Sequence, residues 1–292
     1  MIEASLLEII EKKLQTKLNK SIRILSTRSV SGGCINNTFS IKTNNAGFFV
    51  KTNSSFFSKM FEKEAFALEY LKKNSPLRTP GVICYQENAE NTFLVLEYIE
   101  SAPQAKAFWE NFAISLAKQH QCNHDYFGFE HWNYIGSVKQ ENTKEKNWTD
   151  FFILHRLEPL LKQAVEEALL NSVDISNFNR LFHKLEKLFP TEKPALLHGD
   201  LWGGNFMTDE NGSAVIFDPA IYFGHREMDI AMTKLFGGFS PSFYSYYNDY
   251  FPLADDWEKR LNLCNLYPLL VHLILFGSSY SPTIRKNLSY FI

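Results

Sequence analysis

Leu197-His198-Gly199-Asp200-Leu201-Trp202-Gly203-Gly204-Asn205-Phe206, followed by Val215-Ile216-Phe217-Asp218-Pro219-Ala220, decides the reading of this chain. A short apolar strand feeds a turn that presents Asp200, with Asn205 five residues later. A second apolar strand presents Asp218 at its exposed end. Aspartate is common at strand ends, so either carboxylate alone reads equally well as a turn residue. The three together carry more weight than any one of them. Phosphoryl transfer needs a carboxylate to orient and deprotonate the attacking hydroxyl. It also needs a carboxylate and an amide oxygen to hold Mg²⁺ against a triphosphate. The spacing therefore makes Asp200 the expected catalytic residue, Asn205 and Asp218 the expected metal ligands, and Mg²⁺·ATP the expected cofactor.

The N-terminal third offers an independent check. Strand-like segments cover 22–30, 38–42, 47–52, 82–86 and 92–98, and predict a five-stranded antiparallel sheet. Helical periods run through 6–18 and 59–72, the second ended by Pro76 and Pro80. Lys51 closes the apolar strand Phe48-Phe49-Val50, where a lysine can neutralise the α- and β-phosphates. Glu64 shares a helix face with Phe61, Ala65 and Leu68 and can turn inward to pair with it; Glu62 is the rival acid. A buried ammonium without a carboxylate partner is costly, which is why a pair is expected. Ser31-Gly32-Gly33-Cys34-Ile35-Asn36-Asn37 is a phosphate-covering loop candidate, because glycines let backbone N–H groups approach phosphate oxygens. Two adjacent glycines more often make an ordinary turn, and the position before Lys51 is what raises this pair. Cys34, set among such donors, is both a cofactor-loop residue and a candidate redox switch. Glu97 and Tyr98, in the connector after the fifth strand, are expected to form a hinge whose backbone meets the adenine edge.

Beyond residue 100 helical periods dominate 105–121, 148–170, 175–189 and everything after Glu227, around a β island near 196–197, 206–207 and 214–217. Residues 141–146 read as a mobile polar surface loop. The expected fold class is α+β and bilobal. Residues 1–100 would be a β-rich nucleotide-binding lobe, and 101–292 a larger α-rich lobe carrying the catalytic loop, metal ligands and acceptor site.

Composition bounds the alternatives. Hydrophobic residues make up 45% and charged residues 21%, an ordinary globular balance. A formal net charge of −2 speaks against a broad basic face for nucleic acid. The N-terminal segment lacks a signal-like basic start, and 269–276 is apolar but too short to span a bilayer, so no membrane partner is expected. Four scattered cysteines without a Cys-x-x-Cys pair fit a reducing compartment, and the cytoplasm is the expected location.

The catalytic-loop string His198-Gly199-Asp200 with Asn205 resembles that of aminoglycoside phosphotransferases, choline kinases and their relatives. The longer strings, 198–205 with Leu201 and Trp202 and 217–229 (Phe217 to Asp229), resemble one branch of these, the fructosamine kinase (ketosamine-3-kinase) family. Ser31–Asn36, Phe127-Gly128-Phe129, Tyr134-Ile135-Gly136, Asn147–Phe152 and Leu235-Phe236-Gly237-Gly238-Phe239 match it too. The resemblance runs from about residue 20 to the C-terminus. It implies a protein-kinase-like fold and ATP-dependent phosphorylation of the 3-hydroxyl of ketosamines, the adducts that reducing sugars leave on amines and protein lysines. The unstable product decomposes to free amine, which is deglycation. The resemblance also favours Glu64 over Glu62. Trp202 and His225 are the expected substrate residues, Trp202 as an apolar wall. Arg226 and Asp229 are expected to brace the second lobe, and His198 to bond backbone near Asp218. A kinase for an aminoglycoside or choline is the alternative, and a non-catalytic pseudokinase a more distant one. Monomer and homodimer stay open.

Overall fold

In the computed structural model, residues 2–30, 35–53, 57, 59–88 and 90–292 are described. The loop residues Gly32, Gly33 and Cys34 lie outside them, and with them the Cys34 redox expectation.

Helix α1 (Ala4–Leu18) precedes strands β1 (Ile24–Ser29), β2 (Asn37–Thr43) and β3 (Gly47–Thr52). Helix α2 (Met60–Asn74), β4 (Val82–Glu87) and β5 (Thr92–Glu97) follow. The five strands form one antiparallel sheet in the order β1-β2-β3-β5-β4. Side chains alternate across a strand, and the alternation in β3 sorts the sheet into two apolar faces. Phe48 and Val50 join Phe93 and Val95 against Ile10 and Leu14 of α1. Phe61, Ala65 and Leu68 of α2 cover Leu94 and Leu96 on the other face. Lys51, one position beyond Val50, must project toward α2. Burying each large apolar side chain stabilises by about 1.5–3 kcal/mol, so two helices clamp the sheet and fix the direction of Lys51.

The remainder begins with α3 (Phe108–His120), the hairpin β6 (Asn133–Ile135) and β7 (Val138–Gln140), and α4 (Trp148–Phe152). Then come α5 (Glu158–Glu166), α6 (Ser172–Phe182), α7 (Leu185–Leu188), β8 (Ala195–Leu197), β9 (Phe206–Thr208), β10 (Ala214–Ile216) and β11 (Tyr222–Gly224). Helices α8 (Glu227–Leu235), α9 (Pro241–Tyr250), α10 (Trp257–Cys264), α11 (Leu266–Phe276) and α12 (Ser281–Ser289) complete it. β8 pairs with β11 and β9 with β10, both antiparallel. The molecule has the α+β, bilobal protein-kinase-like fold expected: a five-stranded sheet with its helices, and a larger helical part.

Two expectations are corrected. The single helical period over 148–170 is interrupted by a π-turn at Ile153–Leu157, which rolls the fully buried Arg156 inward. Its guanidinium lies 4.1 Å from the Tyr222 ring centroid and donates to Glu141 O (2.6 Å) and Asn142 Oδ1 (2.6 Å). The segment 141–146, expected to be mobile, is therefore anchored through a buried Asn142, which also bonds His131 O and Asn133 Oδ1. Among the described residues, no helix is long and apolar enough to cross a membrane.

Candidate active site

Asp200 owes its position to backbone constraints on both sides. Gly199 adopts φ +83°, and a Cβ there would come within 2.1 Å of Ala220 O. Only glycine fits. Ala220 N donates to His198 O (2.8 Å), tying the loop to the turn after Asp218. Beneath it, the buried Asp229 of α8 accepts from His198 N (2.7 Å) and Gly199 N (2.9 Å), and pairs with His120 (3.2 Å). Burial alone would raise the Asp229 carboxyl; these donors hold it below its ordinary value instead. His198 is neutral, its pKa lowered by burial. Its Nε2–H donates to Phe217 O (3.1 Å) and its Nδ1 accepts from Asp200 N (3.3 Å). Both ring nitrogens are engaged, so the imidazole sets the distance between the two aspartate turns and is not a base.

Asn205 Nδ2 donates to Asp200 O (2.8 Å) and Asp200 Oδ2 (2.9 Å). That leaves the amide oxygen of Asn205 for a cation. Phe217 N donates to Asn205 O (3.1 Å), bringing Asp218 alongside. Asp218 itself takes φ +57°, a left-handed conformation that turns its carboxylate out of the strand line into the cleft. Enclosure raises the Asp200 carboxyl to about 7; the Asp218 charge adds to the rise and the Asn205 amide opposes it.

From the sheet, the buried Lys51 ammonium bonds Glu64 Oε1 (2.7 Å) and Asp218 Oδ1. Burial works against its charge, but the two carboxylates prevail and hold Lys51 above its ordinary value. Burial raises Glu64 in turn, and the ammonium opposes that. Glu64 is thus the partner of Lys51. The half-buried Glu62 contributes its backbone N–H elsewhere, to Glu87 Oε2 (3.0 Å), while Phe61 N donates to Glu87 Oε1 (3.0 Å). No side chain of α2's own caps its N-terminus. Glu87, from the end of β4, does so and thereby sets the helix that carries Glu64.

Across the described geometry, one ammonium, two aspartates and one amide converge from both parts of the fold. A family model described as fructosamine kinase matches residues 6–292, nearly the whole chain. The chain belongs to the fructosamine kinase family. A relative named as a probable ketoamine kinase, from Enterococcus faecium, is 38% identical over 90% of this chain and 94% of its own length. A protein-ribulosamine 3-kinase, chloroplastic, from Oryza sativa subsp. japonica is 36% identical over 89% and 77% respectively. A crystal structure assigned as a fructosamine-3-kinase from Thermobifida fusca superposes with a TM-score of 0.86 at 28% identity, covering 96% of this chain and 97% of that one.

The remaining expected residues of this fructosamine kinase family chain divide. Trp202 is at the cleft, 36% exposed, its indole lying over Gly204, where a Cβ would come within 2.3 Å of the ring. His225, expected at the substrate, is instead fully buried between Trp148 (5.9 Å) and Phe189 (5.2 Å), bonding Pro190 O. β11 carries it into the core, where aromatic packing excludes any ligand. Arg226 forks onto Glu192 and bonds Phe251 O and Pro252 O, a bracing role like that of Asp229. Glu97 was expected to offer backbone to the adenine edge, and its carboxylate is engaged elsewhere. It accepts from Gly81 N (3.0 Å) and pairs with Arg78 (2.6 Å), and Glu97 N donates to Gly81 O. Tyr98 is exposed against Gly47, just past the end of β5.

Arg78 was not anticipated. Beyond Glu97 it pairs with Asp209 (2.8 Å) and Glu210 (2.9 Å), and its backbone oxygen accepts from Ile216 N. One side chain thus ties the end of the sheet to the β9–β10 turn. Nothing in its sequence surroundings marks it, because all three partners are remote in sequence.

Proposed function

We propose that this chain transfers the terminal phosphoryl group of ATP to the 3-hydroxyl of ketosamines, fructosamine or ribulosamine adducts, and so initiates their deglycation. The observation that carries the reading is the convergence of Asp200, Asn205, Asp218 and the Lys51–Glu64 pair. Within it, Asp200 accepts the proton of the acceptor hydroxyl. In a loose phosphoryl-transfer transition state little base strength is needed, so a carboxylate held by Asn205 suffices. Lys51 neutralises phosphate charge, with Glu64 keeping it charged and aimed.

The donor set suits Mg²⁺: Asn205 presents an amide oxygen and Asp218 a carboxylate, hard ligands whose two loops are joined by the Phe217 N to Asn205 O bond. When bound, the ion would neutralise the triphosphate and orient it. Residues near 1–100 are assigned to the nucleotide and 101–292 to the acceptor. The backbone at Glu97 and Tyr98 is assigned to the adenine edge, and Gly32, Gly33 and Cys34 to the phosphates. Trp202 walls the acceptor.

The test is a coupled ADP-release assay on a fructosyl and a ribulosyl amino acid, with an aminoglycoside and choline alongside. Turnover confined to the ketosamines, with the phosphate on the 3-hydroxyl, is expected. Turnover on the aminoglycoside or choline alone would overturn the substrate assignment.

A further inference from the structure

A row of aromatic rings starts at the catalytic loop and leads away from it. Trp202 meets Phe236 edge-on at 5.9 Å, and Phe236 meets His272 at 4.6 Å. His272 meets Phe276 at 5.4 Å and Tyr280 at 5.3 Å. Trp202, Phe236 and Phe276 are 36%, 38% and 46% exposed, so the row is an open surface and not core. None of its members carries a formal charge: His272 donates Nδ1–H to Pro268 O, and burial lowers its pKa.

The row is built into the fold. The turn after Phe236 docks on the catalytic loop through glycine backbones in direct contact. A Cβ on Gly203 would lie 2.8 Å from Gly237 O, and one on Gly238 2.7 Å from Gly203 Cα. Any side chain at either glycine would push Phe236 away from Trp202. The far end lies on α11, where residues four apart share a face, so His272 and Phe276 form one stripe. That helix end borders the cleft mouth, since a Cβ on Gly136, in the β6–β7 turn, would approach both Leu275 Cδ1 (2.9 Å) and Ile35 Cγ1 (3.9 Å). Ile35 belongs to the expected phosphate loop.

Scattered exposed aromatics need no explanation. A contiguous uncharged track that begins two residues after Asp200 does. We propose that this track is the subsite for the amine-borne half of the substrate, and that the enzyme prefers ketosamines of bulky apolar amines. The inference rests on the ketosamine reading. With the sugar 3-hydroxyl at Asp200 and Trp202 beside it, the substituent on the amine nitrogen continues onto Phe236 and Phe276. Its apolar area leaves water there, and binding improves without any change at the reacting atoms. The effect therefore falls on KM and not on kcat.

The test measures kcat and KM for two small ketosamines of the same sugar, one made from phenethylamine and one from ethanolamine. Wild type should favour the phenethylamine adduct by about tenfold in kcat/KM, the discrimination expected from burying a ring. Phe236→Ala and Phe276→Ala should each reduce that ratio severalfold through KM. Tyr290→Ala, which removes an exposed ring outside the row, should leave the ratio unchanged. Equal kcat/KM for the two adducts in wild type, or a ratio insensitive to both phenylalanine variants, would overturn the subsite alone. Absence of turnover on every ketosamine would remove the substrate reading and the subsite with it. Loss of folding in Phe236→Ala leaves Phe276→Ala, on the exposed side of α11, to decide.

Discussion

The loop that carries Asp200 and the sheet edge that carries Lys51 are held by different forces. Asp200 is fixed through backbone: a glycine no other residue can replace, and a buried carboxylate bonding two consecutive N–H groups. Lys51 is fixed through charge, between Glu64 and Asp218. A backbone-held group keeps its geometry whatever is bound, which suits the residue that must meet an acceptor hydroxyl. A charge-held group reorganises as charges arrive: a cation and a triphosphate at Asp218 would take over what Lys51 now supplies. The acceptor side is rigid beforehand, and the nucleotide side is completed by the nucleotide.

Breaking the rigid side should have the largest effect. Asp200→Ala is expected to lower kcat by about 10²–10⁴-fold in the ketosamine assay, the usual worth of a positioned proton acceptor. In wild type, kcat/KM for the acceptor should fall as pH drops through about 7, because only the ionised Asp200 accepts the proton and enclosure has raised its pKa. Saturating Mg²⁺, which offsets the Asp218 charge, should move that limb to lower pH.

Asp229→Asn is expected to cost about 3 kcal/mol in urea unfolding, because a buried charged network loses its anion. Its linkage has a definite sign. Asp229 has a folded pKa below the unfolded one, near 3.9. Its contribution is present above that value and is lost as pH falls through the folded one. The variant's stability should therefore be flatter than wild type's below about pH 4. On the charge-held side effects shrink. Glu87→Ala removes the carboxylate at the N-terminus of α2 and should cost about 1 kcal/mol, read as a raised KM for ATP because Glu64 shifts with its helix. Arg78→Ala should have the smallest effect, less than about 1 kcal/mol, and appear as a modest rise in the same KM. A larger loss of stability in urea for Arg78→Ala than for Asp229→Asn would invert the comparison.

What could be read from sequence follows the same division. Period-two alternation in Phe48–Lys51 and the helical face of Glu64 put the pair together, because local geometry determines both directions. The spacing of Asp200, Asn205 and Asp218 reflects one continuous strand-turn-strand unit and was legible for that reason. His225 was misplaced because its neighbours in sequence line the cleft, whereas β11 carries it into a core built from Trp148 and Phe189, far away in sequence. Arg78, Glu87 and the aromatic row on α11 were missed on the same grounds: each acts on partners that only the folded chain brings near. The π-turn at Arg156 has no periodic signature, since one extra residue per turn looks like a continuing helix.

The division between a rigid acceptor side and a charge-held nucleotide side is tested most directly by calorimetric titration of ATP into Asp200→Ala and Asp218→Ala, each with and without Mg²⁺. Asp200→Ala should keep wild-type affinity and Mg²⁺ dependence despite its lost turnover, and Asp218→Ala should show weakened, Mg²⁺-insensitive binding. Equal loss of nucleotide binding in both variants, or wild-type Mg²⁺ dependence in Asp218→Ala, would contradict that division.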